Sequence, residues 1–303
     1  MKRISTGSVL LGAVLLAIVV ADASVVGEDG RRAPGADDAQ LLSASGLVVC
    51  SRIVDDRSRR SAGTGTVVGS RNTVVTAAHV FTDAGRRGPP VEFDAVSDCV
   101  FRQYDVHGDV IVEVAFSHAE MGAFRHNAGA PNQDWAVLRT AEPLPESTAA
   151  LAFAFNGNEI ENLNGLSIRI VAYHADMETA RRSLMLSEGE LFAVEYGGFL
   201  RLAHTADTGR MSSGAAIVHR TQDGQNVVVG INRSSANFGD FNLAVPLSSE
   251  LEQALRSHAH GHVPLRRQRL AARDPRAAGH YILDVSPRDS MERNDEKSPV
   301  GQT

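Results

Sequence analysis

The chain is 303 residues long, 43% hydrophobic, 22% charged and 5% aromatic, with a formal net charge of −6. This balance excludes a wholly disordered chain, and the length suits one large domain or two fused small ones. The 36 acidic residues outnumber the 30 basic ones, so no positive field invites nucleic acid, and the two cysteines form no Cys-x-x-Cys for a zinc ribbon or a thioredoxin-type site.

In chain order, Lys2 and Arg3 lead into the apolar run Val9–Val20, and Ala21-Asp22-Ala23 reads as a small-x-small cleavage site. The run falls short of the roughly 20 residues that span a bilayer, so residues 1–23 are expected to be a secretory signal peptide removed after about Ala23. The expected destination is the periplasm or the medium, with no membrane association after cleavage. Residues 24–44 are polar and without period, and read as a flexible leader ahead of a fold that begins near Ser45.

From there short apolar or alternating runs recur between turn signals: Leu47–Val54, Gly65–Val68, Thr73–Ala77, Val110–Phe116, Asp134–Arg139, Leu151–Phe155, Leu166–Ala172, Leu191–Tyr196, Phe199–His204, Ala215–His219, Val227–Asn232 and Phe241–Val245. Short strands at this spacing predict an all-β domain. They fall into two sets, about 45–148 and 149–246, joined by Glu142-Pro143-Leu144-Pro145-Glu146; two barrels or one large sandwich fit equally. A helix over 248–258 is marked by a serine cap, by Glu250 and Glu252 in the first turn, and by a Glu252–Arg256 pair. Residues 259–303 read as a mostly disordered tail. His258, His260 and His262 lie where that helix runs into the tail, and no metal is assigned to them.

Three segments carry distinctive chemistry. Asn72-Thr73-Val74-Val75-Thr76-Ala77-Ala78-His79 is an apolar strand ending in small residues and a histidine. Asp134-Trp135-Ala136-Val137-Leu138 places an acid at the mouth of an apolar strand, a costly position unless the carboxylate has a partner. Asp207-Thr208-Gly209-Arg210-Met211-Ser212-Ser213-Gly214 ends a loop just before the strand Ala215-Ala216-Ile217-Val218. Together they supply a base, an orienting acid and a nucleophile.

These segments resemble the chymotrypsin-fold (trypsin-like) serine peptidases, and among them the bacterial glutamyl-endopeptidase-like branch, in the chain order His, Asp, Ser that the family uses. The resemblance covers about residues 45–256, including the strand Val229-Gly230-Ile231-Asn232 and the closing Asn242-Leu243-Ala244-Val245-Pro246. It implies two six-stranded antiparallel β-barrels with a C-terminal helix. It also implies an endopeptidase that acts on protein or peptide substrates through an acyl-enzyme and needs no cofactor. In that scheme His79 is the base for the Ser213 hydroxyl, Asp134 holds the other ring nitrogen, and the backbone N–H groups of Met211 and Ser213 form the oxyanion hole. Asp207, Thr208, Asn232 and Ser234 fall where the family lines its primary specificity pocket; Asp207 reads either as a selector of Arg or Lys or as a structural loop carboxylate.

The chain departs from the family at Met211, where glycine is usual, and at Ala215-Ala216 after the Ser-Gly pair. Methionine lacks glycine's backbone freedom, which keeps open a second reading: a weak or inactive homologue that binds peptides. Ser212 adjoins Ser213, but only Ser213 precedes glycine, which makes it the expected nucleophile. Cys50 and Cys99 flank the His79 strand, and export favours one disulfide between them over two buried thiols. Gly63 and Gly65 read as barrel-corner glycines.

Overall fold

Asp55 and Asp56 both take positive φ, 48° and 60°, the twist of a two-residue type I′ turn. They fold β1 (Ser45–Val54) back along β2 (Arg57–Val67), in register from Val54↔Arg57 to Ser45↔Thr66. The computed structural model describes residues 25–83, 90–123, 131–154, 163–177, 183–196, 199–235, 241–258, 265–269 and 281–285. The expected signal peptide and most of the tail lie outside the described residues.

After β3 (Thr73–Thr76) and the short pair β4 (Thr82–Asp83) and β5 (Val91–Glu92) come β6 (Cys99–Tyr104), β7 (Val110–Met121) and β8 (Ala136–Thr140). Six strands close an antiparallel barrel in the order β1-β2-β3-β8-β7-β6. Val48, Val67, Val74, Phe101, Phe116 and Leu138 fill it. The expected strand list omits β6, because Arg102 and Gln103 interrupt its apolar run; Cys99, Phe101 and Gln103 nevertheless alternate inward. Cys50 and Cys99 are register partners where β1 meets β6 and are joined by a disulfide. A cross-link closing a loop of this length stabilises by about 4 kcal/mol on a chain-entropy account.

The second half comprises β9 (Ala152–Phe153), β10 (Leu166–Tyr173), β11 (Leu184–Tyr196), β12 (Phe199–His204), β13 (Ala216–Arg220), β14 (Asn226–Ser235) and β15 (Asn242–Pro246). Six of them form a ring, β13-β10-β11-β12-β15-β14, which the β13–β14 pairing closes; β9 adds in parallel to β14. Ile168, Ile170, Leu191, Leu202, Ile217 and Val229 pack inside. The expected double barrel is therefore the observed one. Sequence alternation in β10 holds from Leu166 to Ile170 and then gives way to three further consecutive buried residues, Val171, Ala172 and Tyr173, because the strand runs from solvent into the seam between the barrels.

A separate cluster fills that seam: Val75, Trp135 and Val137 from the first barrel, Val171, Leu186, Ala216 and Ile231 from the second, and Leu251 and Leu255 from the helix Ser249–His258. Leu41 and Ala44 belong to the same cluster. They sit on a short helix, α1 (Ala39–Ala44), and further back Arg32 bridges to Leu186; the C-terminal helix is α2. The fold thus starts ahead of Ser45, because two apolar residues in a polar leader bury themselves in the seam. In the tail, β16 (Leu265–Arg269) pairs with β17 (Tyr281–Val285).

Candidate active site

The register of β3 against β8 decides where the histidine and the acid meet. Thr76 pairs with Ala136; His79 lies three residues past the one and Asp134 two residues before the other, so both emerge from the same end of an antiparallel pair. His79 sits in a 3-10 turn, Ala78–Phe81. Asp134 receives its backbone N–H on Oδ1 (2.9 Å) and its ring Nδ1 on Oδ2 (2.8 Å). A carboxylate on Nδ1 keeps the proton there and leaves Nε2 as the basic nitrogen.

Asp134 is fully buried while the His79 side chain is 26% exposed, so the acid is sealed behind the ring. Burial pushes the Asp134 carboxyl up. The His79 ring, the Arg233 guanidinium and the N–H bonds outweigh that and hold it below its ordinary value of 3.8. Arg233 enters from β14, its Nε donating to Asp134 Oδ2 at 2.9 Å. No sequence reasoning assigned this arginine a role, since a single basic residue in a strand carries no spacing signal.

Ser213 arrives on the loop between β12 and β13, and three contacts with the first barrel fix that loop. Thr64 on β2 donates its N–H to Ser213 O (2.8 Å) and its hydroxyl to Met211 O (2.8 Å), and Thr66 Oγ1 accepts from Ala216 N (3.1 Å). Gly63 permits the approach: a Cβ there would stand 2.4 Å from Val80 Cγ2 and 2.7 Å from Ser213 O. The reading of Gly63 as a mere corner glycine therefore understates it, because it lies between the residue after His79 and the serine. Gly214 has φ +90°, and a Cβ on it would stand 2.0 Å from Thr76 Oγ1.

Ser213 Oγ donates to the carbonyl oxygen of Arg233 at 2.9 Å. The four residues thus form one chain of contacts: Ser213 to Arg233, Arg233 to Asp134, Asp134 to His79. A hydroxyl has a single proton, so delivering it to His79 requires the Ser213 O–H to turn away from that carbonyl.

Met211 takes φ +75°. The residue expected at the family's glycine position therefore adopts a left-handed conformation itself, at a strain of about 1–2 kcal/mol. Among the described residues neither the Met211 nor the Ser213 N–H donates to a backbone carbonyl.

A buried polar chain braces this loop from behind. His204 Nε2 meets Asn232 Oδ1 at 3.1 Å, Asn232 Nδ2 donates to Ser212 O and Oγ, and Ser212 Oγ donates to Gly209 O. Burial lowers His204 to about 4, so its ring is neutral and Nε2–H is the donor. Asn232 was expected to line the specificity pocket; its side chain is instead wholly buried and engaged in this brace. Thr208 is also wholly buried, with Oγ1 unpartnered among the described residues. Asp207 is 6% exposed and its carboxylate oxygens accept the backbone N–H groups of Val26 and Gly30. Ser234 pairs through its backbone with Leu243; its side chain lies outside the described residues.

Comparison with known proteins agrees with this architecture. No curated protein matches the chain in sequence. Many solved structures share its fold, among them the following three. A Glu endopeptidase superposes with TM-score 0.56 at 18% identity, covering 77% of this chain and 98% of its own. The protease Anisep from Arthrobacter nicotinovorans gives 0.55 at 14%, covering 76% and 99%. A scabies mite inactivated protease paralogue gives 0.53 at 16%, covering 73% and 96%. The family described as trypsin-like peptidase domain matches residues 63–231, which span the His79, Asp134 and Ser213 segments and more than half the sequence. This chain belongs to the trypsin-like peptidase domain family.

Proposed function

We propose that the protein is an exported serine endopeptidase that cuts peptide bonds through an acyl-enzyme on Ser213. The observation that carries the reading is the contact chain Ser213–Arg233–Asp134–His79 at the seam of the two barrels. In the reaction, Ser213 Oγ turns from the Arg233 carbonyl and gives its proton to His79 Nε2 as it attacks the scissile carbonyl carbon. The oxyanion that forms takes the N–H groups of Met211 and Ser213. His79 then protonates the departing amine nitrogen, and water repeats the cycle on the ester with His79 again as base. Asp134 stabilises the imidazolium in both halves. Export rests on the Lys2-to-Ala23 signal pattern, and the Cys50–Cys99 bridge suits an oxidising compartment.

A second reading, a weak or inactive homologue that binds peptides, draws on the Ser213 proton lying on Arg233 O and on the strained Met211. A fluorophosphonate probe separates the two. The enzyme reading expects labelling that disappears in Ser213→Ala; a folded, purified chain that never labels overturns it. Export is tested by N-terminal sequencing of the secreted product, with Ser24 the expected first residue.

A further inference from the structure

The segment ahead of α1 does more than tether the chain. Val26 N donates to Asp207 Oδ1 and Gly30 N to Asp207 Oδ2, each at 2.6 Å. Gly27 turns the segment between them with φ +80°. Arg31 then reaches across the loop that carries Asp207. Its Nε and Nη2 fork onto Asp29 at 2.9 and 2.8 Å, and its Nη1 meets Asp176 Oδ2 at 2.8 Å and His174 Nδ1 at 3.2 Å. Only 4% of that side chain is exposed. A Cβ on Gly209 would stand 2.6 Å from Arg31 Nη1, so the guanidinium lies directly against the loop. Arg32 closes the segment with two backbone bonds to Leu186, at 2.9 and 2.8 Å.

The consequence concerns substrate choice. By its resemblance to the trypsin-like peptidases, Asp207 falls six residues before Ser213 at the position where a carboxylate would receive a basic substrate side chain. Here both of its oxygens already hold short, charge-assisted N–H bonds, and Gly30 covers one of them, a Cβ there lying 3.2 Å from Oδ2. Asp207 is 6% exposed, and a cation belonging to the chain already occupies the neighbouring space.

We propose that Val26–Arg31 is a fixed wall of the primary specificity pocket and that Asp207 is its anchor, so that this enzyme does not select Arg or Lys before the scissile bond. The proposal rests on the peptidase reading. It makes the leader a specificity determinant, and removing the leader uncovers a buried carboxylate that then favours basic residues. The gain is on the order of 10–100-fold, the worth of one charge-assisted hydrogen bond.

The experiment uses three chains: residues 24–303, the same chain lacking residues 24–31, and Asp207→Asn with the leader present. Each is profiled with fluorogenic peptides carrying Arg, Lys, Leu, Ala or Glu before the scissile bond. In parallel, amide exchange is followed on peptides covering Val26–Arg31. The expected result is an Arg-to-Leu ratio within threefold of unity in the first chain and 10–100-fold higher in the second. Asp207→Asn keeps the order of preference of the first chain while leader amides exchange at least tenfold faster. A first chain that favours Arg or Lys more than tenfold, and loses this in Asp207→Asn, overturns the proposal. Leader amides that exchange at unstructured rates in the first chain overturn it too. If the truncated chain does not fold, the other two still decide. Fluorophosphonate labelling of all three keeps the failures apart: absence of labelling refutes the peptidase reading, whereas the exchange data judge the leader contact by themselves.

Discussion

Replacing Asp134 by asparagine separates the two jobs that this buried carboxylate performs. Oδ1 accepts the His79 backbone N–H, and an asparagine oxygen retained there keeps that bond. The new NH2 then faces His79 Nδ1 and Arg233 Nε, both bonded to Oδ2 in the parent. The imidazole adapts by moving its proton to Nε2, which accepts the amide N–H at Nδ1 but removes the base from the serine side. That tautomer is expected to lower the fluorophosphonate labelling rate by about 10⁴. Arg233 has no such escape, because a guanidinium stays protonated and only donates. Loss of its charge-assisted bond to a buried group costs about 2–3 kcal/mol, which at 2–4 °C per kcal/mol for a fold of this size lowers Tm by about 5–10 °C. Adding Arg233→Met removes the opposed donor and should restore about half of that Tm loss while leaving labelling at the lower level. Labelling of Asp134→Asn within tenfold of the parent refutes the tautomer argument, and a double variant no more stable than the single refutes the role given to Arg233.

Three further outcomes are expected. Met211→Gly relieves about 1–2 kcal/mol of left-handed strain and gives back about 0.4–1 kcal/mol in unfolded-chain entropy, so denaturant unfolding should show a net gain of about 0.5–1 kcal/mol with labelling no slower; a loss above about 1 kcal/mol contradicts the strain account. Gly63→Ala sets a methyl against Val80 and the Ser213 carbonyl, displacing the serine loop, and should slow labelling by about 10² with about 1–3 kcal/mol of destabilisation; labelling within threefold of the parent contradicts the close approach. His204 and His174 are both lowered by burial to about 4, from an ordinary 6.5. Each is neutral when folded, so its contribution is fully present above pH 6.5 and is lost as pH falls toward 4, by up to about 1.4 kcal/mol per pH unit for each ring; urea midpoints that do not fall between pH 7 and pH 5 exclude this.

The residue order alone carried most of the architecture. Strands such as Thr73–Thr76 and Asn242–Pro246 advertise themselves by β-branched and apolar runs between turn signals, and helix α2 by its cap and its Glu252–Arg256 spacing. Local pattern failed where burial was decided by a distant partner. β6 alternates Cys99, Phe101 and the polar Gln103 inward, so its apolar pattern is broken, and a polar leader holds a short apolar patch, Leu41, Leu42 and Ala44, to mark its place in the seam. Of the candidate site, His79, Asp134 and Ser213 were legible because each stands at the boundary of a distinctive segment. Asn232 was assigned to a pocket wall because strand position says which segment a residue joins, but the pleat decides which way it points, and here it points into the brace behind Ser212.

Sequence by itself therefore determined the all-β class, the membership of the His, Asp and Ser segments in one pattern and the two cysteines available to bridge, since these depend on composition and short-range order. Tertiary structure decided what those residues touch. It put Arg233, 99 positions from Asp134, on the carboxylate, turned Met211 to φ +75°, and closed Val26 and Gly30 over Asp207 across more than 170 residues. The physical reason is that hydrogen bonds and close packing are set by distance in space, and a barrel seam brings together segments that no sequence window contains.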